Sequence, residues 1–114
     1  MENVLIIYER DNVYVGSFKK ENTFYLDNSQ SIKEQIYFYV SKEEPTIFLL
    51  DMTGVTHFDS STIGCLVASI RTAKKHRNFF ILCCLTDRMK DIIKVMHLDK
   101  VFTMYETVEE YFEI

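Results

Sequence analysis

Apolar positions along the chain follow two rhythms. Val4 to Tyr8 is a short apolar run, broken by Glu9-Arg10-Asp11-Asn12, a polar cluster suited to a hairpin turn. Val13 to Phe18 reads as a second strand, antiparallel to the first. From Asn28 the period lengthens: Ile32, Ile36, Tyr39 and Val40 recur at helical spacing, with Asn28, Ser29 and Ser31 available as caps. Pro45 closes the exit loop of that helix. Thr46 to Met52 then predicts a strand covered on both faces, because Ile47-Phe48-Leu49-Leu50 has no polar alternation. A second helix is expected from Ser60 or Ser61 to about Lys75, with Ile63, Leu66, Val67 and Ile70 as its core stripe. Lys74, Lys75, His76 and Arg77 complement the negative end of its dipole. Phe79 to Leu85 is another doubly covered strand. Thr86 and Asp87 offer caps for a third helix carrying Met89, Ile92, Ile93 and Met96 on one face. Val101 to Tyr105 is a last strand, and Thr107-x-x-Glu110 has the spacing of a capping box for a short helix packing Val108, Tyr111 and Phe112.

The sum is a hairpin followed by three strand–helix units. Strands separated by helices pair in parallel through right-handed crossovers. The expected class is therefore α/β: a mixed, mostly parallel sheet of about five strands, opened by an antiparallel hairpin and covered by about four helices. No repeat, charge block or composition break divides residues 1–114, which read as a single domain.

Composition narrows the function. A chain that is 47% hydrophobic and 14% aromatic builds a real core and is not a disordered tail. Thirteen Lys and Arg against 17 Asp and Glu leave a formal charge of −4, which argues against a nucleic-acid partner. Phe79 to Leu85, the longest purely apolar stretch, is far short of the roughly 18 residues of a membrane span. No basic segment follows Met1-Glu2-Asn3, so no secretory signal is expected and the location expected is cytoplasmic.

Cys65, Cys83 and Cys84 lack C-x-x-C spacing, and none has a histidine at zinc-ligand spacing. As neighbours on a strand, Cys83 and Cys84 are expected to point to opposite faces. They read as small hydrophobes in a reduced compartment. His57, His76 and His97 read as one loop residue and two helix-end residues. Neither a metal site nor a cofactor is expected.

The unusual segment is Asp51-Met-Thr-Gly-Val-Thr-His-Phe-Asp-Ser-Ser-Thr-Ile-Gly64. It links the C-terminal end of a buried strand to a helix start, where open α/β sheets place their sites. Asp51 closes the strand, Gly54 permits a tight turn, and Asp59, Ser60 and Ser61 gather at the helix N-terminus. One reading is plain capping by Asp and Ser. The other is an exposed hydroxyl open to phosphorylation, its phosphate facing unpaired N–H groups at the positive end of the dipole. A hydrolase triad of Ser60, His57 and Asp59 or Asp51 would need a Gly-x-Ser-x-Gly elbow and a Gly-rich oxyanion loop. Neither is present, and no enzyme is expected.

These residues resemble the STAS domains, above all the bacterial anti-anti-sigma factors (anti-sigma factor antagonists). Leu49-Leu50-Asp51-Met52-Thr53-Gly54-Val55 is similar to the family's strand end. Phe58-Asp59-Ser60-Ser61-Thr62-Ile63-Gly64 is similar to its helix start. The resemblance implies a phosphorylation switch in which the serine after the Asp, Ser60, is the phosphoacceptor. It implies docking by Asp59, Ser61, Thr62, Ile63, Gly64 and Asp51, the loop after the second strand and the loop at Leu85 to Met89. It also implies the partners. The unmodified protein binds an anti-sigma factor that is a serine kinase of histidine-kinase-like fold, freeing a sigma factor, and a metal-dependent serine phosphatase reverses the modification.

Two departures stand out. Thr62 replaces the family's usual Gly, and Gly16-Ser17-Phe18-Lys19-Lys20-Glu21 replaces its Gly-x-Leu-Asp motif after the second strand. An alternative reading is a non-switching STAS scaffold, a subunit of a stressosome-like assembly or of a transporter complex.

Overall fold

The computed structural model describes residues 4–19, 26–43 and 45–113, and for 26–28 the backbone alone. Its elements are β1 (Leu5–Arg10), β2 (Val13–Phe18), α1 (Leu26–Val40), β3 (Ile47–Asp51), α2 (Ser60–Lys75), β4 (Phe79–Cys83), α3 (Asp87–Val95), β5 (Thr103–Tyr105) and α4 (Val108–Phe112). Among the described residues the five strands form one sheet in the order β1-β2-β3-β4-β5. The β1–β2 pair is antiparallel and each later pair is parallel. The mixed sheet and the four helices expected from the alternation are present. No helix among the described residues is long and apolar enough to cross a membrane.

β1 outlasts its apolar run. Glu9 and Arg10 remain paired with Tyr14 and Val13, and the turn shrinks to Asp11-Asn12, both left-handed at φ 51° and 66°. Consecutive positive φ values suit a two-residue hairpin, and Asp and Asn tolerate them. Arg10 extends the strand because its guanidinium has partners: it donates to Glu109 Oε1 at 2.8 Å and lies 4.2 Å over the Phe112 ring. At the other end of the hairpin, α1 begins at Leu26. Asn28, Ser29 and Ser31 therefore lie inside its first turns and do not cap it.

The sheet carries two unequal layers. Helices α1, α2 and α3 cover Phe48, Leu50, Phe80 and Leu82 with Ile32, Ile36, Leu66, Ile70, Met89 and Ile93. The opposite face holds Val13, Val15, Leu49, Ile81 and Cys83, against which α4 packs Val108, Tyr111 and Phe112. β3 and β4 are thus buried on both sides, the physical reason for their unbroken apolar sequences. At Gly16 the larger layer lies close against the backbone. A Cβ there would meet Phe48 Cζ at 2.8 Å, so the missing side chain lets the Phe48 ring lie under β2.

Two caps follow the expected chemistry. Thr86 Oγ1 accepts the Met89 N–H at 3.2 Å, and Thr107 Oγ1 accepts the Glu110 N–H at 3.0 Å. The Glu110 carboxylate returns one residue further back, accepting the Glu106 N–H at 3.2 Å. In α3 the inner stripe is Met89 and Ile93. Met96, expected on that face, instead ends the helix 48% exposed.

Candidate functional site

The parallel strands end on one edge of the sheet, and the β3–α2 loop emerges there. Asp51 terminates β3, and its Oδ1 accepts both the Thr53 N–H at 2.9 Å and the Thr53 hydroxyl at 2.6 Å. Gly54 follows at φ 84°, a left-handed turn that glycine enters without steric cost. Val55 and Phe58 sink into the three-helix core, whereas Thr56 and His57 stay exposed. The loop is pinned by its apolar residues and leads into α2 in a fixed orientation.

Asp59 caps α2 from extended backbone geometry. Its Oδ1 accepts the N–H groups of Ser61 and Thr62 at 3.0 Å each and the hydroxyls of Ser61 and Thr62 at 2.8 and 3.1 Å. Its Oδ2 lies 3.3 Å from His57 Nε2. These donors, the Thr62 amide first and the Ser61 hydroxyl next, pull the carboxyl down to about 2, so it is an anion throughout the physiological range.

The expected site residues divide sharply by face. Ser60 is the first residue of α2 and is exposed, and its hydroxyl has no partner among the described residues. Ser61 is half-buried, its hydroxyl committed to Asp59. Thr62 is fully buried. It therefore cannot present its side chain to another protein, and the contact role expected of it is corrected: it faces the core and supports the cap. Ile63 is half-buried and Gly64 exposed. Asp51 is half-buried and bonded within its own turn.

The core stripe of α2 is rotated from the expected one. Its buried residues are Thr62, Cys65, Leu66, Ser69, Ile70 and Ala73, while Ile63 and Val67 are only half-buried. Thr62 and Ser69 can go inside because their hydroxyls find local acceptors, Asp59 Oδ1 and the Cys65 carbonyl at 2.8 Å. The displaced Ile63 and Val67 line an open groove of about 550 Å³ that runs from Phe58 and Ser60 past Gly64 to Arg71, with Met96 as its far wall. A second groove of about 300 Å³, between Lys33 of α1 and Ser61 and Cys65 of α2, also reaches Gly64. Bare helix backbone thus separates two depressions.

Three further outcomes bear on the expectations. The Ser61 and Thr62 amides are already occupied by Asp59, so a phosphate on Ser60 would not face a full set of unpaired N–H groups. His57 Nε2 lies against Asp59 Oδ2, and no bond joins the Ser60 hydroxyl to any described residue, so the supposed triad is not assembled. The loop after β2 falls largely at 20–25, outside the described residues. Sequence reasoning missed Arg71 and Met96 as groove residues. Arg71 was findable, since it sits two helical turns from Gly64 on the same face, whereas Met96 arrives from another element with no local signal.

A sequence profile of the STAS domain family matches residues 5–111, from β1 into α4. The chain belongs to the STAS domain family. In sequence, a Thermotoga maritima protein described as a candidate anti-sigma factor antagonist is 22% identical over 89 residues, 77% of this chain and 78% of its own. The structure of an anti-sigma-factor antagonist (STAS) domain protein from Planctomyces limnophilus superimposes with a TM-score of 0.80 at 24% identity, covering 94% of this STAS domain and 93% of that chain. The Bacillus cell fate determinant SpoIIAA, in its phosphorylated form, gives 0.71 at 15% identity and 96% of each chain. At such identities the structural likeness carries the fold.

Proposed function

We propose that this STAS domain is an anti-sigma factor antagonist, a cytoplasmic binding switch controlled by phosphorylation of Ser60. The unmodified form binds an anti-sigma factor that is also a serine kinase of histidine-kinase-like fold, and so releases a sigma factor. The kinase transfers the γ-phosphoryl group of ATP to Ser60 Oγ, the hydroxyl proton leaving to solvent, and the complex separates. A metal-dependent serine phosphatase removes the phosphate. The domain itself supplies no catalytic group and no cofactor; it supplies a hydroxyl and a surface.

The observation that carries this reading is the exposed Ser60 hydroxyl at the mouth of α2, next to an Asp59 that is ionised at physiological pH and at the end of the Ile63–Val67 groove. A phosphate adds a charge of about −1.5 to −2 there. Beside Asp59 it makes a docked anionic or apolar surface repulsive, and like-charge juxtaposition across an interface costs several kcal/mol. The local motif at Asp59 to Gly64 and the names borne by the relatives support the same reading.

One observation favours the non-switching scaffold: the capping carboxylate already takes the Ser61 and Thr62 amides that would otherwise steady a phosphate. Pull-downs from native lysate with wild-type, Ser60→Ala and Ser60→Asp baits separate the two. The switch predicts a partner retained by wild type and Ser60→Ala, weakened roughly tenfold or more by Ser60→Asp, with helical circular dichroism unchanged in all three. Incubating the retained partner and wild type with ATP should put phosphate on Ser60 by mass spectrometry. Phosphate on Ser61 alone would move the acceptor, and none at all would leave the scaffold.

A further inference from the structure

Cys83 and Cys84 do not diverge as strand neighbours would. β4 ends at Cys83, and Cys84 is left-handed at φ 64°, a region that few residues other than glycine enter. That twist cancels the alternation of an extended strand and turns both side chains to the face covered by α4, Cys83 fully buried and Cys84 half-buried. Asp51 sits beside Cys83 in the β3–β4 register. One carboxylate oxygen of Asp51 and the two Sγ atoms all lie within 4.8 Å of one another.

We propose that Asp51, Cys83 and Cys84 bind a thiophilic divalent cation, zinc(II), at the C-terminal edge of the sheet. The donor set selects the ion: two sulfurs and one carboxylate suit zinc, whereas magnesium and calcium want oxygen alone. The distances suit it as well. Metal bonds of about 2.3 Å to sulfur and 2.0–2.2 Å to oxygen put tetrahedral ligand atoms less than about 4 Å apart. The three ligand atoms already lie within 4.8 Å of one another, and side-chain rotation closes the remainder.

The supports are already fixed. The Met52 N–H donates to the Cys83 carbonyl at 3.0 Å, and the Cys84 N–H donates to the Tyr105 carbonyl at 3.2 Å, so β3 and β5 hold the two cysteine backbones. The Thr53 N–H and hydroxyl both donate to Asp51 Oδ1, which orients the carboxylate. Half-buried Asp51 and Cys84 give the ion a way in. Binding one zinc(II) converts both thiols to thiolates and releases two protons to solvent, the Cys83 thiol giving up its 3.7 Å contact with the Leu50 carbonyl. Three protein ligands leave a fourth position to water. This site does not involve Ser60, and it shares only Asp51 with the docking residues expected of the switch.

The test uses the fully reduced whole chain, titrated with cobalt(II) and then zinc(II). The expected result is one cobalt per chain, with thiolate-to-cobalt charge transfer in the near ultraviolet, tetrahedral bands in the visible, and displacement by one equivalent of zinc. Loss of even an outer-shell partner costs about 10–100-fold in metal affinity, so Cys84→Ser and Asp51→Asn should each lose at least that much. Cys65→Ser, altered in the helical core, should bind as wild type does. Cys83→Ser removes a fully buried group; if it fails to fold, the two half-buried variants decide, each checked by circular dichroism. No thiolate band in wild type, a band that survives Cys84→Ser, or zinc that perturbs only His57, His76 and His97 would overturn the proposal.

Discussion

Helix α2 presents two faces that are built on opposite terms. The inner face, Thr62, Cys65, Leu66, Ser69, Ile70 and Ala73, is closed: each hydroxyl on it has a local acceptor and the apolar side chains join the three-helix core. The outer face, Ser60, Ile63, Gly64, Val67 and Arg71, is left incomplete, a charged rim around half-buried apolar side chains and a bare glycine. Thr62 and Ser60 are two residues apart and on opposite sides of this divide. A modification at Ser60 can therefore transform the surface while the packing beneath stays as it was.

The contrast is broken most strongly from the inside. Leu66 is 1% exposed in the main core, and Leu66→Ala should destabilise the domain by about 2–5 kcal/mol, read by urea or thermal unfolding. Val67→Ala, one residue round the helix and only half-buried, should cost clearly less while weakening partner binding more. Equal losses of stability in the two variants would mean that the outer face is also part of the core.

How far this divide was legible from sequence depends on what sets each position. Element type and order were legible because they follow from periodicity: α2 runs Ser60–Lys75 and β2 Val13–Phe18, as their patterns indicate. The rotation of the α2 stripe was not, since hydrophobicity alone puts Ile63 inside and Thr62 outside. The Asp59 carboxylate, by accepting the Thr62 hydroxyl, supports the reverse arrangement. The exposed Ser60 was legible as a helix start, whereas the occupied amides beside it depend on which way one carboxylate turns. Likewise, the convergence of Asp51, Cys83 and Cys84 rests on a single positive φ, which no spacing encodes.

A second test acts at the boundary between the faces. Asp59 titrates at about 2 in the folded domain against an ordinary 3.8. Because the folded value is the lower one, its contribution to stability is complete above about pH 4 and is lost as pH falls through 4 toward 2. Asn caps a helix about as well as Asp but carries no charge. Asp59→Asn should therefore melt below wild type at neutral pH, with the two melting temperatures converging below pH 2. A gap that stays constant from pH 7 to pH 2 would show that the charge contributes nothing and that the cap acts by hydrogen bonding alone.

The smallest expected effect sharpens the comparison most, because it runs the other way. Gly64 lies inside α2, where glycine costs about 0.5–1 kcal/mol relative to alanine. Elsewhere such a cost has a steric reason, as at Gly16, where a Cβ would strike Phe48. At Gly64 no described residue lies within 4 Å of where a Cβ would stand, and Gly64 is exposed between the two grooves. Folding does not ask for glycine there; close approach by another chain's backbone would. Gly64→Ala should thus raise stability by about 0.5–1 kcal/mol in denaturant unfolding while lowering affinity for the captured partner. Stability that rises with binding unchanged would move the docking contact off this helix face, and stability that falls would show that the inner and outer faces of α2 are not separable at all.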